Sequence, residues 1–185
     1  MSRAERPEEE KKVRLRACRL LVLDFDGVLT DNRVYVNDRG EEWVCCSRGD
    51  SLGLAMLKKA GREVVVLSTE THGVVAKRCE KLGVACVSGC GDKGPALEAM
   101  MAERGLGPEE VAYVGNDVND RACMERAGVA IAPADAHGEI LRMADLTTPQ
   151  KGGRGAVRQV ADWMLETGDG NAEAAEGPAR QKETP

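Results

Sequence analysis

A chain of 185 residues with a net charge of −5 and no basic cluster has room for one sizeable core, and it lacks the positive face that nucleic acid or an anionic membrane requires. Apolar residues make up 42% of it and aromatics only 3%, so the core is aliphatic, as suits an α/β sheet. Seven cysteines, an odd number without CxxC spacing, read as buried thiols in a reducing cytoplasm rather than as zinc ligands, and no apolar run reaches the ~18 residues of a membrane span.

Residues 1–19 form a charged lead-in (Glu8-Glu9-Glu10-Lys11-Lys12) with at most a short solvated helix. Leu20-Leu21-Val22-Leu23 then predicts a strand buried on both faces, and it stops at Asp24-Phe25-Asp26-Gly27. Two carboxylates at i, i+2 repel each other and resist desolvation, so a cation between them or a shared proton is expected; a solvated acidic turn is the plain alternative. Arg33–Val36 and Glu41–Cys45, joined by Asn37-Asp38-Arg39-Gly40, predict a hairpin placed to arch over Asp26. Asp50 is expected to cap a helix with Leu52, Ala55, Met56 and Ala60 inward, ended by Gly61.

Val64–Leu67 is a second buried strand, ending at Ser68-Thr69-Glu70. A helix with Val75, Cys79 and Leu82 inward stops at Gly83, and a short strand covers Val84–Val87. Asp92-Lys93-Gly94-Pro95 opens a helix that turns Leu97, Met100 and Met101 inward. Val111–Val114 is a further strand, ending at Gly115-Asn116-Asp117-Val118-Asn119-Asp120. A helix over 119–127, a strand over 129–132, a helix over 135–143 and a short strand at Leu146 follow. The last helix faces Val157, Val160, Ala161, Met164 and Leu165 inward. One domain over 20–166 is expected, followed by a disordered tail over 167–185 rich in Gly, Ala, Glu and Pro. The alternation predicts an α/β fold: a doubly wound, mostly parallel Rossmann-like sheet with a β-hairpin insertion after the first strand.

In such a sheet all parallel strands present their carboxyl ends on one edge. Asp24 and Asp26, Ser68 and Thr69, and Asn116, Asp117 and Asp120 can therefore converge, with Lys93 opening a helix between the last two sets. Together they supply a carboxylate nucleophile, a second carboxylate, oxygen ligands for a hard cation, a hydroxyl and a lysine. That set matches phosphoryl transfer, which needs in-line positioning and charge neutralisation.

These residues resemble the haloacid dehalogenase-like phosphatases through all four motifs of that family: D24-F-D26-G-V-L-T, Ser68, Lys93 and G115-N-D-V-N-D120. The similarity is closest to the cap-less branch acting on 3-deoxy-octulosonate 8-phosphate or nonulosonate 9-phosphates, and runs from about Leu20 to Leu165. The resemblance implies that Asp24 attacks phosphorus, that Asp26 serves as acid and then base, and that Ser68 and Lys93 hold phosphoryl oxygens. It implies Mg²⁺ on Asp24, the Asp26 backbone carbonyl and Asn116, with Asp117 and Asp120 as alternatives to Asn116. It further implies a homotetramer in which the hairpin reaches a neighbouring subunit. The segment G152-G-R-G-A-V-R158 would lie near that contact, and Arg154 and Arg158 are candidate partners for the substrate carboxylate of a neighbouring subunit; the plain alternative is that they are ordinary surface charges on the last helix.

Where octulosonate enzymes read TGR, this chain has Ser68-Thr69-Glu70, and with Lys81 this is similar to the nonulosonate 9-phosphate enzymes. Asn116 stands where most relatives carry an aspartate, offering a hard oxygen without charge. A similar asparagine occurs in a domain of vertebrate CMP-sialate synthetases, so a non-catalytic oligomerisation module is the rival reading. A phospho-acceptor receiver domain also uses a strand-end aspartate, but it leaves the DxD spacing and the hairpin unexplained. His72 and His137 are expected to be surface residues, and Tyr35 and Trp43 packing or interface anchors rather than substrate platforms.

Overall fold

A computed structural model describes residues 6–166. Six strands form one sheet in the order β5-β4-β1-β6-β7-β8. They are β1 (Leu20–Leu23), β4 (Glu63–Leu67), β5 (Ala85–Val87), β6 (Val111–Val114), β7 (Val129–Ala132) and β8 (Leu146–Thr147), and every pairing between them is parallel. The hairpin is a separate antiparallel pair, β2 (Thr30–Val36) with β3 (Glu42–Cys46). The fold expected from the alternation of apolar strands and amphipathic helices is the fold observed.

The strand period of two sorts β1 between two cores. Leu21 and Leu23 face the side covered by α1 (Glu8–Ala17), α2 (Arg48–Lys59), α3 (Gly73–Leu82) and α7 (Ala156–Leu165). Leu20 and Val22 face α4 (Lys93–Arg104), α5 (Arg121–Arg126) and α6 (Gly138–Met143). All four side chains are fully buried. With both faces covered, the sheet leaves only its strand ends open to a ligand.

Some local expectations are corrected. Helix α2 is capped not by Asp50 but by Ser47, whose hydroxyl accepts from the Gly49 and Asp50 amides at 3.1 and 3.3 Å. The helix buries Gly53, Leu54 and Leu57, while Leu52 remains 54% exposed. Asp50 is buried instead against the start of α7, accepting from the Gly155 and Arg158 amides at 3.3 and 2.8 Å. Its carboxylate thereby satisfies free amides in the first turn of a distant helix, where negative charge is favoured. The lead-in also contributes more than a solvated helix, because Leu15 of α1 is fully buried in the core beneath β1. The expected tail at 167–185 lies outside the described residues.

Among the described residues no helix is long and apolar enough to cross a membrane. All seven cysteines are free thiols, but only Cys18, Cys79 and Cys123 are buried as expected; Cys45 is exposed on the hairpin, and Cys46, Cys86 and Cys90 are half-buried. The hairpin exposes Val34, Tyr35, Val36 and Trp43, each more than half accessible.

Candidate active site

The ends of β1, β4 and β6 meet over a cleft of about 300 Å³ lined by Asp24, Asp26, Ser68, Thr69, Asn116 and Asp117 among others. Asp24 extends the ladder one residue past β1, its amide donating to the Val114 carbonyl at 2.9 Å, so its carboxylate is fixed relative to the next strand. Oδ1 accepts from the Phe25 amide at 2.6 Å and pairs with Lys93 Nζ at 2.8 Å. Oδ2 has no hydrogen-bond partner among the described residues and is the oxygen left for the cleft.

Lys93, the first residue of α4, is buried, and the same Nζ also reaches Asp120 Oδ1 at 2.8 Å. Asp120 is fully buried and completely engaged. Oδ1 also takes the Tyr113 hydroxyl at 2.7 Å, and Oδ2 takes the Asn116 and Asp117 amides at 2.9 and 3.3 Å. Burial alone would lower the Lys93 pKa, but Asp24 and Asp120 outweigh it and hold the ammonium charged. Burial, and then the Asp120 charge, pushes Asp24 up to about 7 against the pull of Lys93. Tyr113 is held well above its usual range by burial and by Asp120, so it remains a neutral donor.

Asp26 is oriented by Thr30, which is fully buried and donates to Asp26 Oδ1 at 3.2 Å. The Thr30 oxygen in turn accepts from the Gly27 and Asn32 amides at 3.2 Å each, locking the turn. Burial raises the Asp26 pKa, Thr30 opposes this, and the Glu70 carboxylate adds to the rise. Gly27 has φ +78°, and a β-carbon there would collide with the Asn116 side chain. Gly152 and Gly153 press on the same turn from below; a β-carbon at Gly152 would strike the Gly27 carbonyl, and the Gly153 amide donates to the Val28 carbonyl at 2.9 Å. Gly152 and Gly153 are thus required by close backbone approach, whereas Gly155 is favoured by its φ of +104°.

Ser68 is buried at the end of β4, its hydroxyl oxygen accepting from the Glu70 amide at 3.1 Å while its proton is free for a ligand oxygen. Glu70 stands near Asp26, but Lys81 is not brought to them. It is exposed in the last turn of α3, a helix that starts at the site, so at ~1.5 Å per residue it lies on the order of 12 Å further along the axis. Arg158 is also not at the cleft; its guanidinium pairs with Asp162 on α7 at 2.8 Å. Arg154 pairs with Asp31 at 3.4 Å. His72 and His137 are exposed caps, accepting from the Val74 and Glu139 amides at 3.4 and 3.3 Å.

Asn116 is pinned on both sides, its amide on Asp120 and its carbonyl accepting from the His137 amide at 2.8 Å. Its side-chain Oδ1 is buried without a partner, a costly arrangement unless something occupies the cleft beside it. No three His, Cys, Asp or Glu side chains among the described residues are grouped to hold a metal. The donors here are two aspartates and an amide, and this all-oxygen set fits a hard divalent cation such as Mg²⁺. Asp117 uses Oδ1 to cap the Val118 amide at 2.7 Å and remains at the rim, whereas neither oxygen of Asp120 is free. Thr30 and Tyr113 are the contributors that sequence reading misses: Thr30 reads as the end of a motif, and Tyr113 as one more strand residue.

A doubly wound sheet that brings an i, i+2 aspartate pair, a serine and a buried lysine to one edge defines a haloacid dehalogenase-like hydrolase. The chain belongs to that family, as a phosphatase, and among the described residues the insertion after the first strand is the two-stranded hairpin. The family model described as haloacid dehalogenase-like hydrolase matches residues 84–160. The 3-deoxy-D-manno-octulosonate 8-phosphate phosphatase of Salmonella typhi is 38% identical over 148 residues, covering 80% of this chain and 79% of that one. The crystal structure of the Yersinia pestis enzyme of the same name superposes with a TM-score of 0.82 at 34% identity, over 85% of each chain. The Moraxella catarrhalis enzyme, solved in complex with magnesium, phosphate and KDO, gives 0.82 at 28% identity, over 85% of this chain and 91% of that one.

Proposed function

We propose that this protein is a cytoplasmic, Mg²⁺-dependent phosphomonoesterase of phosphorylated 2-keto-3-deoxy sugar acids. The observation that carries this reading is the Asp24 carboxylate, with one oxygen tied to Lys93 and Phe25 and the other left for the cleft. A phosphate monoester seated against Ser68 and Lys93 would place phosphorus before Asp24 Oδ2. Attack forms the Oδ2–P bond and breaks the bond from phosphorus to the ester oxygen, while Asp26 gives that oxygen its proton. Asp26, now a base, takes a proton from water, which attacks phosphorus and frees Asp24 and inorganic phosphate. The raised pKa of Asp26 suits the acid half of this cycle, and Thr30 keeps its carboxyl aimed. Asp24, the Asp26 carbonyl and Asn116 Oδ1 would hold Mg²⁺, with Asp117 the rim alternative. When bound, the cation supplies neutralisation of phosphoryl charge.

The octulosonate 8-phosphate named for the relatives is one candidate substrate. A nonulosonate 9-phosphate is the one we favour, because Glu70 occupies the position beside Asp26; Lys81 gives this preference no support within one chain. The exposed hairpin face supports a homotetramer, in which Lys81 or Arg158 of a second copy would be free to meet the substrate. The test is phosphate release with Mg²⁺ from both esters, alongside Glu70→Arg. A higher kcat/KM for the nonulosonate, shifted toward the octulosonate by Glu70→Arg, is expected. Release from neither ester, with an intact fold, would favour the assembly module, the reading that the uncharged Asn116 suggests.

A further inference from the structure

The Lys93 ammonium carries three N–H donors, and two of them are spent on Asp24 Oδ1 and Asp120 Oδ1, each at 2.8 Å. The third is left for a phosphoryl oxygen in the phosphatase reading, on which this inference rests. Each of the two acceptor oxygens also takes one further donor, the Phe25 amide on Asp24 at 2.6 Å and the Tyr113 hydroxyl on Asp120 at 2.7 Å. The lysine therefore stands between two matched acceptors. A second donor offsets part of the negative charge on the oxygen it shares, so each carboxylate pulls on the ammonium less than a bare one does. Asp24 lines the cleft and the fully buried Asp120 does not, so any excess pull by Asp120 draws Lys93 away from the place where phosphate sits. Tyr113 is fully buried on the face of β6 that packs against α4 and α5. A phenylalanine would fill the same space, and Asp120 would still hold Lys93 and two backbone amides. Neither packing nor the satisfaction of Asp120 demands the hydroxyl. Behind it lies a further donor: the Cys123 thiol, also fully buried, is within hydrogen-bond reach of the Tyr113 oxygen. Burial pushes the Cys123 pKa up to about 12, so the sulfur keeps its proton.

We propose that Tyr113 is a positioning residue for phosphoryl transfer, acting through Asp120 on Lys93, and that Cys123 supports it from behind. The Tyr113 hydroxyl offsets the pull of Asp120 and keeps the free ammonium proton directed at the cleft. The Cys123 thiol donates to the phenol oxygen and so strengthens the bond from Tyr113 to Asp120, as donors in a chain polarise one another. Neither residue touches the phosphoryl group. Both set where Lys93 waits for it.

Tyr113→Phe keeps the ring and removes the hydroxyl. With the full chain and Mg²⁺, its kcat on para-nitrophenyl phosphate should fall about tenfold, with the fold checked by circular dichroism. In a metal-free crystal of the variant, Lys93 Nζ should stay on Asp120 and lie beyond hydrogen-bond range of Asp24, a shift that a purely structural hydroxyl does not produce. Cys123→Ala should lower kcat by roughly twofold to threefold, and Cys123→Ser, which restores a donor, should recover it. Wild-type turnover in Tyr113→Phe, or a loss of rate with Lys93 still bonded to both aspartates, would overturn the proposal. If Tyr113→Phe does not fold, the two Cys123 variants decide, and equal rates for alanine and serine would overturn it. A wild type inactive on para-nitrophenyl phosphate would overturn the phosphatase reading and this one together, whereas an active wild type with an unaffected Tyr113→Phe removes this inference alone.

Discussion

In metal-free protein, Asp24→Asn should stabilise the fold at neutral pH and above. Asp24 is 5% exposed, and its carboxyl is raised from 3.8 to about 7, first by burial and then by Asp120, against the attraction of Lys93. The folded state therefore keeps a proton that the unfolded chain releases. The sign is that of a raised acid: the penalty is absent below the unfolded pKa, accumulates as pH rises between the two values, and is complete above about 7. A shift of roughly three pKa units corresponds to about 4 kcal/mol. Asparagine cannot ionise, can still accept from the Phe25 amide, and leaves Lys93 paired with Asp120. Urea unfolding in EDTA at pH 4 and pH 8 measures the difference. The stability of Asp24→Asn relative to wild type should increase by on the order of 2–4 kcal/mol between them. Magnesium added at pH 8 should then narrow the gap by binding the folded wild type. A pH-independent difference, or a variant that loses ground at pH 8, would refute the claim that Asp24 stores a desolvated charge.

Other expectations concern the metal, the turn and the hairpin. Asn116→Asp adds charge at the orphaned donor and should lower the Mg²⁺ concentration for half-maximal rate about tenfold, a gain of roughly 1.4 kcal/mol; an unchanged midpoint in a magnesium titration would count against Asn116 as ligand. Gly152→Ala forces a methyl onto the Gly27 carbonyl, and a loss of roughly 1–3 kcal/mol in urea unfolding, with reduced turnover, should follow. Trp43→Glu places a charge on the exposed hairpin face and should dissociate the proposed homotetramer in light scattering; a wild type that is already a fully active monomer would contradict that proposal.

The fold is legible in the sequence because its signals are local. The run Leu20–Leu23 needs no partner to read as a doubly buried strand, and the strand-end aspartates follow it directly. Contacts that bind distant segments are not legible. Lys93 and Asp120 lie 27 residues apart, and nothing in either segment shows that one ammonium bridges Asp24 and Asp120 while Tyr113 shares the second acceptor. Asp50 sits where a helix cap is expected, yet Ser47 takes that role and Asp50 serves α7. Lys81 is singled out by resemblance to another group of enzymes, and only the run of α3 shows that it sits in the last turn of a helix that begins beside the cleft.

The most direct test of the central claim is to trap the phosphorylated residue. Wild type turning over para-nitrophenyl phosphate with Mg²⁺ would be quenched in sodium borohydride, which reduces an aspartyl phosphate to homoserine, and its peptides read by mass spectrometry. Homoserine at position 24, absent without substrate and absent at position 26, is the predicted result. Steady turnover with position 24 unmodified, or modification at position 26 instead, would contradict the account.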